Sequence, residues 1–480
     1  MSINRIKWKK KDHFRTLTAF ILNALIVIAL MAVALLIKVG GIKQIIQVTM
    51  QETKLIAFIV VSVVLTFIAS YAFYYSQYRD FMYKTSNIFM LFGVLIISLV
   101  ANYAFGKISV YLRPFALCAL LALLLSDKRS AVFMNCIYSI LMLITDVLTG
   151  LNVNDLLFSF IVGFTSGIIA VFAVDGEGSR VKVLTRGALI SIPAIISTFV
   201  ASYTTDYKHL IYSLLFALGS GILADALMMV ILPFFEMAFG ALTNFRLAEL
   251  TDHKAKLIKE LSERAPGTFS HTIILAMIAE ACGNAIGVNP LLCRACAYYH
   301  DVGKLNKPEY FTENQSGKNP HDDLMPELST DIIRAHAKDG AELIRKRRLP
   351  EALASAAEQH HGTLPIRYFY IKASKFTDGE LSVENFCYYG PKPQTKENAI
   401  IMICDACEAK VRTINRTHEN VDKAVKDIIE ERMEMEQFTE CDITMRELQI
   451  IRNTITNVLS GVYHERVKYP KLKTGGKRSV

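Results

Sequence analysis

About eight apolar runs, each long enough to cross a bilayer, fill the first half of this chain and constrain its fold more than any other feature. Inside hydrocarbon a backbone must satisfy its own N–H and C=O groups, so runs of this kind are helices. They lie near Thr16–Val39, Leu55–Tyr75, Asn87–Phe105, Val110–Ser126, Ala131–Leu148, Asp155–Ala173, Gly187–Tyr203 and Leu210–Phe235. Mean hydropathy is +0.31 although 20% of residues are charged. The apolar weight lies before about Phe239 and the charge after it. The expected fold is all-α: a polytopic helical membrane domain over residues 1–239, a linker helix over 240–265, a cytoplasmic all-helical domain over 266–470, and a basic disordered tail over 471–480.

Lysine and arginine placement orients the membrane half. The N-terminal stretch MSINRIKWKKKDHFR is strongly basic and is expected to stay in the cytoplasm. Loops carrying Arg79 and Lys84, Lys128 and Arg129, and Arg180, Lys182 and Arg186 are expected on that same side. An even number of spans then puts both termini, and the second half of the chain, in the cytoplasm of a cell whose plasma membrane holds a multi-pass protein. The net charge is +9, and much of it sits near the expected cytoplasmic membrane edges, where it orients the protein in preference to marking a surface for nucleic acid polymers. The first run is too long for a signal peptide, and Gly40-Gly41 makes a poor cleavage site.

Arg113, Asp146, Asp225 and Glu236 fall inside or near apolar runs. They read as interhelical packing contacts or interfacial residues in preference to an ion path. Gly219, Ser220 and Gly221 in the last span favour close helix approach. The charged stretch LAELTDHKAKLIKELSER, Leu247–Arg264, has a helical pattern and reads as a tether in preference to a signal-transmitting rod.

The second half reads as mostly helix. Apolar residues recur at helical spacing in HTIILAMIAEACGNAIGV, DIIRAHAKDGAELIRKRRL, ENAIIMICDACEAKVR and MRELQIIRNTITNVLSGVY, with Pro and Gly between them. The stretch YFYIKASKF could be extended or helical. Cys293-x-x-Cys296 and Cys404-x-x-Cys407 resemble halves of a zinc site. Each pair shares one face of an apolar helical run, which makes them packed thiols, and a cytoplasmic setting disfavours disulfides.

Five histidines and two aspartates remain: His271, His300, Asp301, His336, His360, His361 and Asp405. Imidazole nitrogen and carboxylate oxygen suit divalent Mn, Fe or Zn. Each residue alone has a bland reading, such as a helix-surface His271. Together they do not. An adjacent His300-Asp301 pair beside Tyr298-Tyr299 is costly to bury without a partner. Asp405 inside IIMICDACEA needs a cation or a dense hydrogen-bond shell. Seven ligands exceed the needs of one ion and suggest two that share a bridging carboxylate, the arrangement for in-line attack on a phosphodiester.

The stretch APGTFSHTIILAMIAEACGNAIGVNPLLCRACAYYHDVGK resembles the opening of an HD-domain phosphohydrolase. With ENQSGKNPHDDLMPELS, IIRAHAKDGAEL, EQHHGTLPIRYFYIKA, YYGPKPQTKENAIIMICDACEAKVR and FTECDITMRELQIIRNTITNVLSGVYHERVKYP, the resemblance extends to the membrane-anchored 7TM-HD phosphodiesterases, the PgpH-type enzymes that act on cyclic-di-AMP. It covers Leu247–Pro470 and, more loosely, the membrane half. The resemblance implies that His271, His300, Asp301 and Asp405 hold one divalent ion, Mn or Fe, that His336, His360 and His361 hold the second, and that Asp301 bridges them. It implies a metal-activated hydroxide attacking phosphorus, with pApA as product. Lys304, one turn after His300-Asp301, would be a catalytic and substrate-binding cation facing a phosphate oxygen. The partners implied are a cyclic dinucleotide and the lipid bilayer, and a homodimer is compatible with them.

One departure stands out. The family usually carries a large extracytoplasmic domain after its first span, and here only GGIKQIIQVTMQET occupies that place. The chain is either a natural short member or a shortened one, and sensing through that domain is in doubt. Two rival functions stay open: an HD phosphodiesterase for another cyclic dinucleotide such as cyclic-di-GMP, and a non-enzymatic membrane receptor with an HD regulatory domain. The cyclic-di-GMP class expects Gly-Tyr-Pro after its His pair, where this chain reads His361-Gly362-Thr363-Leu364-Pro365.

Overall fold

The apolar runs form helices whose buried positions recur every three or four residues. The computed structural model describes residues 8–40, 52–202, 207–376 and 381–462. The C-terminal tail and most of GGIKQIIQVTMQET therefore lie outside the described residues. The chain divides into two compact units between Arg246 and Leu247. In the first unit, helices α1 (Lys10–Val39), α2 (Thr53–Gln77), α3 (Thr85–Gly106), α4 (Leu117–Leu125), α5 (Lys128–Leu148), α6 (Val153–Val174), α7 (Arg180–Ile190), α8 (Ile192–Ser202) and α9 (Tyr207–Phe239) follow in order. On α1, Thr16, Phe20, Asn23, Val27, Met31 and Ala34 are buried on one face. Leu22, Leu25, Val33 and Ile37 on its other faces are exposed, the pattern of a helix with protein on one side and lipid on the other.

Two apolar runs depart from single spanning helices. Val110–Ser126 is a 3-10 turn, Val110–Leu112, followed by α4. Arg113 between them is extended, with φ −61° and ψ 134°, because the ring of Pro114 disfavours a helical residue before it. The nine residues of α4 span only about 14 Å at 1.5 Å per residue. They are wholly buried from Leu117 to Ala122, so α4 faces protein and not lipid. The run near Gly187–Tyr203 starts earlier, at Arg180, and breaks at Ser191 into α7 and α8. Pro193 has no N–H to return to the carbonyl of Leu189, so the ladder fails there.

By length and composition eight helices among the described residues could cross a bilayer. One of these, Pro266–Ile286, has the lowest hydropathy of the set, 1.3, and lies in the second unit, where it forms the core described below. Seven therefore remain for the membrane domain, and the bipartite Val110–Leu125 segment makes the further passage. Its return is visible in the loops. Tyr78 after α2 donates its hydroxyl to Asp127 before α5, at 2.7 Å. Lys128 meets Asp175 at 2.9 Å, Arg15 donates to the carbonyl of Tyr83 at 2.9 Å, Arg79 covers the Trp8 ring, and Arg180 covers the Phe245 ring. The start of α1, the loops carrying the basic residues, and the exit at Phe245 share one face of the domain.

The second unit holds α10 (Asn244–Leu250, its first residues belonging to the first unit), α11 (Lys256–Arg264), α12 (Pro266–Ile286), α13 (Pro290–Tyr299), α14 (Pro326–Lys346), α15 (Glu351–Gln359), α16 (Arg367–Ser374), α17 (Lys396–Val411), α18 (His418–Glu434) and α19 (Met445–Val462). The charged stretch Leu247–Arg264 is not one helix. Asp252 accepts a hydrogen bond from the Lys254 N–H at 2.7 Å, a local turn that separates α10 from α11. YFYIKASKF is helical, as α16. Among the described residues the only β pairing is the isolated bridge Pro365–Cys387.

α12 is the hub, with Pro266 in its first turn and Gly287 at φ +74° ending it. Its Leu275, Ile278, Ala279 and Cys282 are fully buried, and it packs against α13, α17 and α19. α13 is capped by the Asn289 side chain and α17 by Thr395. Cys293, Cys296, Cys404 and Cys407 are free and buried in this core, and burial pushes their thiols up. They are packing residues.

Candidate metal centre

Two helix ends build half of the site. α13 stops at Tyr299 and α15 at Gln359, so His300 and His360 each sit at a C-terminal cap. The last carbonyls of a helix lack intrahelical partners. His300 Nδ1 takes the carbonyl of Ala297 at 2.8 Å, and His360 Nδ1 takes that of Ala357 at 2.8 Å. His336 repeats the contact inside α14, with Nδ1 on the carbonyl of Ile333 at 2.5 Å. Each carbonyl accepts, so each Nδ1 carries the hydrogen and each Nε2 presents a lone pair. A carbonyl behind the ring is the usual way a metal-binding imidazole is oriented.

Those lone pairs converge. His336 Nε2 and His360 Nε2 lie 3.2 Å apart. Both are acceptors in the tautomers just described, and two facing acceptors repel unless a cation lies between them. Asp301 sits among them. Its Oδ1 is 3.3 Å from His336 Nε2 and 3.6 Å from His360 Nε2, and its Oδ2 is 3.1 Å from His300 Nε2. His300 Nε2 and Asp301 Oδ1 are buried without a hydrogen bond of proper geometry. Buried polar atoms are rarely left so, and this donor set fits divalent cations.

His271 approaches from α12 and Asp405 from α17. His271 Nε2 is 3.0 Å from Asp405 Oδ1 and its Nδ1 is 2.6 Å from Glu408 Oε2. His361 Nδ1 is 4.0 Å from Asp405 Oδ2. Three ligand groups emerge, each with its donor atoms within 4.8 Å of one another: His336, His360 and His361; His271, His300 and Asp405; and His300, Asp301 and His360, which joins the other two. All seven residues singled out in the sequence meet here.

Two glycines permit the approach. A Cβ on Gly303 would lie 1.9 Å from the His336 carbonyl oxygen, so the turn after Asp301 lies directly on the α14 backbone. Gly362, at φ +53°, turns the chain away after His361, and a Cβ there would meet Gln437 at 2.2 Å.

The charges are arranged for cation binding. Burial alone would raise the carboxyl of Asp301, but the neighbouring His300 and the Lys304 ammonium hold it well below the usual carboxylate range. Asp405 is held low in the same way, against burial, by His271 and His300. Burial lowers His360, and burial with the neighbouring His360 and His336 holds His361 well below the ordinary imidazole value. Both are neutral imidazoles at neutral pH. His271 is the exception: burial opposes its charge, yet hydrogen bonds to Asp405 and Glu408 raise it to about 10. A cation binding there displaces that proton.

Lys304 does not face open space. Its ammonium contacts Asp301 Oδ2 at 2.7 Å and Glu313 Oε1 at 2.8 Å. Burial opposes its charge, and the two carboxylates keep it protonated. Glu313, Glu408 and Tyr388, whose ring stacks on His361 at 4.2 Å, escaped the sequence reading. Glu408 alone left a signal, since it follows Asp405 by three residues on one helix face. Asp405 and His361 are the exposed edge of the site, at 18% and 23% of their side chains, and Asp301 is its floor at 2%.

The HD domain family model matches residues 268–410, a span that contains all seven residues. The model described as a 7TM receptor with intracellular HD hydrolase matches residues 52–243. Two relatives bear the name cyclic-di-AMP phosphodiesterase PgpH. The Bacillus subtilis protein is 36% identical over 427 residues, 84% of this chain and 59% of its own length. The Listeria monocytogenes protein is 38% identical over 396 residues, 80% of this chain and 53% of its own length. The chain thus spans a little over half the length of these curated relatives. A crystal structure of the L. monocytogenes PgpH HD domain in complex with cyclic-di-AMP is 47% identical, covering 44% of this chain and 99% of that one, with a TM-score of 0.42.

Proposed function

The chain belongs to the 7TM-HD family, and from that premise we propose that it is a membrane-anchored, two-metal phosphodiesterase that opens cyclic-di-AMP to linear pApA. The observation that carries this reading is the position of Asp301, whose two oxygens face separate groups of imidazole nitrogens. His271, His300, Asp301 and Asp405 would hold one divalent ion, Mn or Fe, and His336, His360 and His361 the other, with Asp301 shared. Two ions so placed supply Lewis acidity and a water of lowered pKa for in-line attack on phosphorus.

The remaining work falls to the protein. Carbonyls of Ala297, Ile333 and Ala357 fix which nitrogen of each ring points inward. Lys304 and Glu313 fix the carboxylate of Asp301 from behind, so Lys304 contributes through Asp301 as well as through its charge near the phosphate. The phosphodiester enters along the edge formed by Asp405, His361 and Tyr388. Water adds to phosphorus, the bond from phosphorus to the ribose 3′ oxygen breaks, and that oxygen leaves with a proton, giving a 5′-phosphate and a 3′-hydroxyl. Cyclic-di-AMP is preferred over cyclic-di-GMP because the chain is similar to two proteins named for the former.

The face that gathers Arg15, Arg79, Lys128 and Arg180 is the cytoplasmic face of a plasma-membrane protein by the positive-inside rule. Its exit at Phe245 delivers the catalytic half to the cytoplasm, where a cyclic dinucleotide is available. The test is the purified full chain in detergent with Mn, incubated in parallel with cyclic-di-AMP and cyclic-di-GMP and the products separated by chromatography. We expect pApA from the first substrate. Intact cyclic-di-AMP, with or without turnover of cyclic-di-GMP, overturns the assignment.

A further inference from the structure

The membrane domain holds a carboxylic acid that nothing neutralises. Asp225 lies on α9, about 27 Å along the helix from Tyr207 and about 21 Å from Phe239 at 1.5 Å per residue, which puts it well inside the apolar run. It is 0% exposed, and among the described residues neither carboxylate oxygen has a hydrogen-bond partner. The other charged residues buried among the described residues of this domain, Arg113, Asp146 and Glu236, have near partners. Arg113 meets Asp146 at 2.6 Å and Ser159 at 3.1 Å. Arg186 pairs with Glu177, and Glu236 accepts from Thr243.

Asp225 also sits at a particular joint. α7 and α9 touch through glycine: a Cβ on Gly187 would lie 2.7 Å from Asp225 Oδ2 and 3.0 Å from the Ile222 Cα, and one on Gly221 would lie 2.3 Å from the Gly187 carbonyl oxygen. One turn along is the helix break. Ser191 donates to the Leu218 carbonyl at 2.7 Å and accepts from the Gly221 N–H at 3.1 Å, tying the break to α9. The carboxyl of Asp225 is therefore pressed against the backbone of α7 beside a discontinuous helix, and interrupted membrane helices are where ions and protons are commonly handled.

Among the described residues no charge is at hand to balance an ionised Asp225. On α7, Arg186 is engaged with Glu177 and the Ala173 carbonyl, Arg180 covers Phe245, and Lys182 is exposed. Helices α3, α4 and α8 carry no charged residue, and α6 carries only Asp155 in its first turn. Arg113 is spent on Asp146. An alkali ion needs several oxygen ligands, and the Ser191 hydroxyl at the helix break is already used. A single proton satisfies the site without further ligands.

We propose that Asp225 is a proton-binding site of the membrane domain, its neutral form holding α7 against α9 and its ionised form driving them apart. The inference does not depend on the substrate of the second half. Its test uses the full chain in lipid nanodiscs. Infrared difference spectra recorded as pH rises should show the C=O stretch of a protonated carboxyl disappear in the wild type, and that band should be missing in Asp225→Asn. Thermal stability of the wild type should fall over the same pH range by more than that of Asp225→Asn, whose residue 225 is neutral throughout. Exchanging Na⁺ for K⁺ or for an organic cation should change neither. A wild-type spectrum without a band assignable to Asp225 overturns the proposal. So does a wild-type stability curve parallel to that of the variant, or a dependence on the alkali ion in place of pH.

Discussion

The second half of this chain gathers five histidines and two aspartates around one point, whereas the membrane half buries the Arg113–Asp146 pair, Asp225 and Glu236 apart from one another. The solutions to burial differ accordingly. In the membrane domain each group but Asp225 has a complementary neighbour, as the Arg113 guanidinium has Asp146 and Ser159. A donor facing an acceptor needs no cation between them. In the metal centre the nearest neighbours are themselves acceptors: His336 Nε2 faces His360 Nε2, and Asp301 Oδ1 faces both. Burial there stays unsatisfied until cations arrive. Convergence of like acceptors, and not burial as such, separates a site from packing.

The comparison breaks first at Asp301. Asp301→Ala should abolish phosphodiesterase turnover by several orders of magnitude, because the carboxylate shared by both ligand groups is lost together with the water they activate. The variant's thermal unfolding shows whether it is folded. Near-normal turnover by a folded variant would mean that the reaction is run from elsewhere. In the membrane domain, Arg113→Ala should cost about 3–5 kcal/mol of stability by leaving Asp146 buried and unpaired. Arg113→Met combined with Asp146→Leu should recover most of that, with metal content unchanged in both. A single variant as stable as the wild type would show that the pair is not closed in the way described.

Smaller effects sharpen the same contrast. Lys304→Ala removes an ammonium that the protein itself contributes beside Asp301, and turnover should fall roughly 100-fold, the scale of one electrostatic donor. Glu408→Gln keeps the shape of the carboxylate behind His271 but removes its charge. Metal affinity, read by titration with a competing chelator, should weaken roughly 10- to 100-fold as for other groups that orient a ligand. An unchanged affinity would reduce Glu408 to a packing residue.

Much of this was legible in the residues, and the reasons for the rest are physical. His271, His300, Asp301, His336, His360, His361 and Asp405 stood out because ionisable residues of these types are costly to bury without partners. That His300 and His360 end their helices, and so borrow orphan carbonyls to set their tautomers, depends on helix boundaries that composition does not locate. Glu313 and Tyr388 reach the site from irregular segments with no periodicity to betray them. In the membrane half, the hydropathy of LCALLALLL outweighed the Arg113-Pro114 step before it, and a segment built in two pieces read as one helix. The same averaging hid the break at Ser191. The linker stretch was read as continuous because its charge pattern is helical on both sides of Asp252.

The claim on which the account turns is that one carboxylate serves two cation positions. Elemental analysis of the full chain, loaded with Mn and freed of excess metal by desalting, tests it directly. The wild type should hold two ions per chain and His336→Ala about one, since that variant loses a ligand from one group only. A wild-type stoichiometry of one, unchanged by His336→Ala, would contradict it.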